Sequence, residues 1–161
     1  MSEISIRLAT EADAALIAGQ RRAMFADAVL PVPATLQAME ACFKPWVRER
    51  LATGLYRGWI AESAGLPVGG AGLWIAEFPP HFLDIAAARG YLLNFYVLPE
   101  YRGAGLARRL LAVAVEEGRR LGLRVITLHA SKFGRKLYEQ NGFRSNNEMI
   151  LLSDGSTEPT S

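Results

Sequence analysis

Apolar and polar positions alternate at the start of the chain, where Ile4, Ile6 and Leu8 are separated by polar residues with the period of a strand. Thr10 then reads as an N-cap with Asp13 three residues on. A helix is expected over 14–29, with Leu16, Ile17, Met24 and Phe25 on its apolar side, ended by Pro31 and Pro33. A second helix is expected over 34–53, stopped by Gly54. Residues 55–62 and 68–76 read as a strand hairpin around the turn 63–67. Gly69, Gly70 and Gly72 would weaken an ordinary strand and mark close backbone packing or a bulge. The loop 78–90 carries Pro79 and Pro80, with a short helix expected at 84–89. Residues 91–98 form the best strand of the chain and 105–121 its best helix. Leu106, Leu110, Val113 and Leu121 support a buried face of that helix, and Glu116 with Arg120 an i, i+4 pair on another. Gly122 is its stop. A strand at 124–129, a short helix at 133–140, the turn Asn141-Gly142 and a strand at 143–152 complete the pattern. The order is β-α-α-β-β-β-α-β-α-β, one mixed α/β domain over 1–152. The tail 153–161 is polar and reads as flexible.

Composition narrows the class. Of 161 residues half are hydrophobic, enough for one domain with a core. No apolar run approaches the ~20 residues of a membrane span, and the start lacks a signal-peptide pattern, so a cytoplasmic protein without a membrane partner is expected. The 18 basic and 16 acidic residues give a net charge of +2 and are intermingled, against nucleic acid as partner. Cys42 has no internal disulfide partner; among Met39, Phe43, Trp46 and Val47 it reads as a buried apolar thiol rather than a nucleophile. His81 and His129 are far apart, and no Cys/His spacing marks a metal.

The run 94–111 passes from an apolar strand through Pro99 and two glycines into a helix start. At Arg102-Gly103-Ala104-Gly105-Leu106-Ala107, glycines let backbone N–H groups approach a ligand closely. The helix start adds unpaired N–H donors and a positive end. Together they suit a pyrophosphate, with Arg102, Arg108 and Arg109 adding charge; the other reading is a plain glycine turn. No Gly-Lys-Ser/Thr follows, and Arg108 stands where a dinucleotide fingerprint needs its third glycine.

Leu137-Tyr138-Glu139-Gln140-Asn141-Gly142-Phe143 gives a helix end, a turn and a strand start. Arg-x-x-Gly-x-Ala at Arg102, Gly105 and Ala107 resembles the acyl-coenzyme A signature of the GNAT superfamily of acetyl-CoA-dependent N-acetyltransferases. The Leu-Tyr-Glu-x-x-Gly-Phe run is similar to that superfamily's second hallmark. The resemblance covers about 4–152 and implies a mostly antiparallel sheet, splayed at the cofactor site, with helices on both faces. It implies acetyl-CoA as co-substrate and no metal. The pantetheine arm would pair with a bulged strand at Phe95, Tyr96 and Val97. The pyrophosphate would rest on the N–H groups of Gly103, Ala104, Gly105, Leu106, Ala107 and Arg108, beside Arg102. A small-molecule or peptide amine would attack directly through a tetrahedral intermediate, and Tyr138 matches the family's general acid to the CoA thiolate. Ser131 stands seven residues before Tyr138, where many members carry an asparagine that bonds the CoA arm. The strand 125–129 lacks the glutamate that some members use as base, leaving His129, Glu77, Asp84, Glu148 or no base. Asn94 and Asn147 are either acceptor anchors or inter-strand bonds. Met24, Phe25, Trp46, Trp74, Phe78 and Phe82 could line an acceptor pocket or be core. A homodimer is implied by analogy only. The alternative is a non-catalytic acyl-CoA-binding sensor, or another anion binder such as a nucleotide-binding domain.

Overall fold

The computed structural model describes residues 3–28 and 32–154. Its sheet is built around β2 (Tyr56–Ser63), a strand with apolar side chains on both faces and buried along most of its length. One face of β2 turns Tyr56 and Ile60 toward Ala14 and Ile17 of α1 (Ala14–Ala28) and Val47 of α2 (Pro33–Thr53). The other turns Trp59 and Ala61 toward Leu106, Leu110, Leu111 and Ala114 of α3 (Leu106–Arg120). A strand apolar on both sides needs such a cover on both sides. Five strands run in the order β1 (Ile4–Leu8), β2, β3 (Leu66–Glu77), β4 (Ala88–Val97) and β5 (Ile126–Leu128). The first four are antiparallel neighbours, and β4 pairs with β5 in parallel. α4 (Arg135–Gln140) follows β5. The mixed, mostly antiparallel sheet with helices on both faces is the one expected.

Local signals held where the chemistry is local. Asp13 Oδ2 accepts the Thr10 N–H at 2.7 Å and takes a two-pronged ion pair from Arg7. Gly54 stops α2 in the left-handed region at φ 74°. Pro33 occupies the first helical position of α2, where its missing N–H is not needed. Val29, Pro31 and residues 155–161 of the expected tail lie outside the described residues. Gly118 lies on the buried face of α3; a Cβ there would sit 2.6 Å from Ile126 Cδ1, so glycine lets β5 reach the helix.

Four expectations are overturned. No helix forms at 84–89: Asp84 Oδ1 accepts the Ala86 N–H at 3.0 Å, and Asp84 exchanges backbone bonds with His81 at 2.8 and 2.9 Å. That side-chain bond gives the backbone an alternative to helix, and residues 88–90 extend β4 instead. Arg120 pairs with Glu117, not Glu116, at 2.7 and 2.8 Å, because Glu117 also faces Arg57 of β2 at 3.4 Å. Cys42 is exposed, not buried: α2 turns Phe43, Trp46 and Val47 inward and leaves Cys42 on the adjoining face. No strand forms among residues 143–154, and Asn147 is therefore in no ladder. The apolar run there points outward, with Met149 93% and Leu151 88% exposed, since β5 pairs only with β4.

Candidate active site

β4 pairs with β5 only from Gly90 to Leu92, so the strand from Leu93 to Val97 has β3 on one edge and no strand on the other. Within that free length the β3–β4 register slips: Gly72 opposes Leu93, and Gly70 opposes Tyr96. β4 thus holds an extra residue, a bulge. Asn94 occupies it at φ 58°, a left-handed conformation that asparagine tolerates better than most side chains. Its buried amide holds the bulge. Nδ2 donates to the Tyr56 hydroxyl at 2.8 Å, and Oδ1 accepts from Arg21 Nη1 at 2.8 Å. The glycines of β3 explain themselves here, with both close packing and a bulge present. A Cβ on Gly72 would lie 1.9 Å from the Tyr56 hydroxyl, and one on Gly69 2.7 Å from the Tyr96 carbonyl oxygen.

Past Val97 the chain makes a single 3-10 turn, Pro99–Tyr101, and enters the glycine turn. Gly103 and Gly105 have φ of 80° and 81°, and a Cβ on either would meet nothing within 4 Å. Glycine is needed for the backbone angle, and the space before the turn is open. The first N–H of the region to find an acceptor is that of Arg109, on Gly105 O at 3.1 Å. With no side-chain cap, the N–H groups of Leu106, Ala107 and Arg108 have no partner among the described residues. Arg102 faces away from this cluster. Its Nε donates to Val97 O at 2.8 Å and its Nη2 pairs with Asp27 of α1, bracing the turn against the strand end. Arg109 donates to Ile4 O at 2.9 Å. Of the three arginines only Arg108 makes no ion pair or side-chain bond among the described residues.

Tyr138 on α4 faces the free edge of β4. Its ring meets Phe95 edge-on at 6.1 Å and Phe143 at 5.8 Å. The hydroxyl has no hydrogen bond among the described residues, and burial pushes its pKa up to about 12. Gly134 is the N-cap of α4; a Cβ there would press within 3.0 Å of the Tyr138 ring. Ser131 closes this turn, its Oγ accepting the Gly134 N–H at 3.1 Å. Phe95 and Tyr138 thus meet where β4 has left its pairing with β5. Tyr96 lies under the Arg102 guanidinium at 5.8 Å. Leu98 N–H donates to Val68 O toward β3, while the Val97 carbonyl serves Arg102.

On the opposite face of β4, beside the bulge, a cavity of about 470 Å³ is lined by Arg21, Cys42, Phe43, Trp46, Trp74 and Tyr91. Trp46 meets Trp74 at 5.4 Å and Trp74 meets Tyr91 at 6.3 Å. Trp46 and Trp74 therefore line it, whereas Phe78 lies under Arg89 and Phe82 is 88% exposed. The Tyr91 hydroxyl bonds His129 Nδ1. Burial raises the Tyr91 pKa, with Arg21 opposing and Glu148 adding to the rise. His129 and Glu148 are thus brought near the pocket. Asp84 is engaged by its own loop and Glu77 ends β3 in solvent. A second groove of about 670 Å³, between Leu8 and α3, includes no residue of the bulge or the glycine turn. Sequence reasoning missed Arg21, Tyr56 and Tyr91. The available signal was Asn94, a poor strand former inside the best strand, with a glycine run one hairpin earlier. Among the described residues no cluster of His, Cys, Asp or Glu could hold a metal ion, and no helix is long and apolar enough to cross a membrane.

The sequence model of the acetyltransferase (GNAT) family matches residues 25–143. The uncharacterized N-acetyltransferase YhfO of Bacillus subtilis is 31% identical over 154 residues, covering 91% of this chain and 94% of that protein. The crystal structure of a GCN5-related N-acetyltransferase from Ralstonia eutropha superposes with a TM-score of 0.90 at 36% identity, over 95% of this chain and 100% of that one. That of a predicted acetyltransferase with acetyl-CoA from Clostridium acetobutylicum gives 0.84 at 28% identity, over 94% and 96%.

Proposed function

The chain belongs to the acetyltransferase (GNAT) family, and we propose that it transfers the acetyl group of acetyl-CoA to an amine by direct attack. The observation that carries this reading is the continuous open edge running from the β4 bulge to the unpaired N–H groups of α3, with Tyr138 beside it. When bound, acetyl-CoA supplies an acetyl thioester, an acyl group activated toward a neutral amine. The residues present fit such a ligand. Phe95 and Val97 lie on a strand stretch without a neighbouring strand on one edge, as an extended amide chain needs. The N–H groups of Leu106, Ala107 and Arg108 have no partner among the described residues and, with the turn open at Gly103 and Gly105, suit a pyrophosphate to which Arg108 adds charge. Arg102 holds the turn in place rather than touching the phosphates. The Ser131 hydroxyl retains its proton for donation while its oxygen accepts from Gly134. Tyr138 holds a proton at its hydroxyl for the departing sulfur. A thiolate in the same apolar gap also has its proton affinity raised by desolvation, so a phenol of high pKa is matched to it.

Two outcomes test this. Titrated with acetyl-CoA, the protein binds it saturably, and Gly105→Val weakens binding by about tenfold while the fold is kept. A β-branched residue at φ 81° strains the turn by roughly 1–3 kcal/mol and crowds the N–H cluster. No saturable binding by the wild-type protein would sink the reading. Second, kcat/KM measured across pH rises as the acceptor amine loses its proton and does not fall below pH ~10. The sign follows from Tyr138: a pKa raised to about 12 keeps the phenol protonated throughout that range. A descending limb near neutrality would point to a different acid.

A further inference from the structure

Among the described residues Arg21 is the one charged side chain lining the aromatic pocket, and no carboxylate pairs with it. Its only side-chain hydrogen bond among the described residues runs from Nη1 to Asn94 Oδ1, a neutral acceptor, at 2.8 Å. Its Nε is enclosed without a partner among the described residues, and no ion pair among them includes it. Phe25 and Phe43 flank the guanidinium at 4.9 and 4.7 Å. Desolvation lowers its pKa from the ordinary arginine value, with the Tyr56 and Tyr91 hydroxyls opposing. Holding the bulge does not require this: a neutral donor to Asn94 would do so without enclosing a cation away from its counter-ion, which is unfavourable. A stacked arginine fork with free N–H groups, at the edge of an open pocket free of acidic lining, is suited to a planar anion.

We infer that the pocket takes an amine bearing a carboxylate a few bonds from its nitrogen, an α-amino acid or peptide terminus with an apolar side chain, the carboxylate resting on Arg21. This rests on the acetyl-transfer reading and specifies its acceptor. Arg21 is bonded to the bulge residue itself, so an anion on it lies next to the strand that borders the donor gap. That adjacency suits an acceptor whose amine and carboxylate are close together. Phe43, Trp46 and Trp74 offer the apolar wall for its side chain. The lone cation in the pocket disfavours polyamines and other multiply cationic acceptors.

The test compares L-leucine and L-methionine with L-leucinamide and L-methioninamide, which keep the side chain and lack the carboxylate, at a fixed concentration of the neutral amine. Binding is read from the emission of Trp46 and Trp74 with CoA present, and transfer from thiol release with acetyl-CoA. The acids are expected to bind about tenfold more tightly than the amides. Arg21→Gln brings the acids to the level of the amides, while the same preparation still binds acetyl-CoA saturably. Arg21→Lys retains part of the preference. Equal binding of acids and amides by the wild-type protein overturns the inference without any variant, as does the absence of a saturable change with the acids. If the acids bind and no CoA is released, the carboxylate site stands and the transferase reading fails. If amides are acetylated as well as acids, the transferase reading stands and the carboxylate site fails.

Discussion

Tyr138→Phe is expected to lower kcat by about a hundredfold, the lower end of what a positioned proton donor contributes, and to leave acetyl-CoA binding unchanged. The substitution removes one oxygen and keeps the ring, so the edge-on contacts with Phe95 and Phe143 persist. The hydroxyl has no hydrogen bond among the described residues, so its loss breaks no network and does not lower stability. Single-turnover measurements with a pre-bound donor isolate the chemical step from product release. An unaltered single-turnover rate would make Tyr138 a packing residue that closes the gap. A proportional fall in donor affinity would make it a binding residue instead.

Gly72→Ala is expected to lower folding stability by about 3 kcal/mol, the upper range of an overpacked core. The added carbon would sit 1.9 Å from the Tyr56 hydroxyl and 2.3 Å from Cζ, within a ring that is fully buried. The phenol must move, and its bond from Asn94 goes with it, leaving a buried amide without one partner. In a chain of this size the loss corresponds to a melting temperature lower by roughly 10 °C. Denaturant unfolding of the purified variant measures it directly. A loss below about 1 kcal/mol would mean that the ring finds another seat, and that Tyr56 does not hold the bulge.

The central strands, the three long helices and the glycine turn were legible because each is written in local pattern: period two, period 3.6, a proline or a glycine at the boundary. The family resemblance then supplied a sense of where the donor would lie. What was not legible depended on partners distant in sequence. The run 143–152 has the composition of a strand, but a strand exists only where another offers a ladder, and none of the described strands does. Cys42 shared a helix with core residues, and which face it took was decided by where Trp46 packs on Trp74 of the sheet. Arg102 carries the motif's positive charge, yet Asp27, far earlier in the chain, draws it away from the N–H cluster. Arg21 was hidden for the opposite reason. An arginine on a helix is ordinarily a surface residue, and only the fold reveals that its partner is a strained asparagine in mid-sheet.

That asparagine has a thermodynamic consequence. Its backbone belongs to the strand that borders the gap on one side of the sheet, and its amide belongs to Arg21 and Tyr56 on the other. With donor and acceptor placed as proposed, occupancy of the two compartments is linked through one residue in a costly conformation. A ligand that tightens Arg21 on Asn94 changes the affinity of the opposite compartment, and linkage requires the reverse effect to be equal. Substrate synergy, measured as the change in one dissociation constant on saturating with the other ligand, is then a property of the bulge itself. It should vanish in Asn94→Gly, which accepts the same backbone angle without the amide.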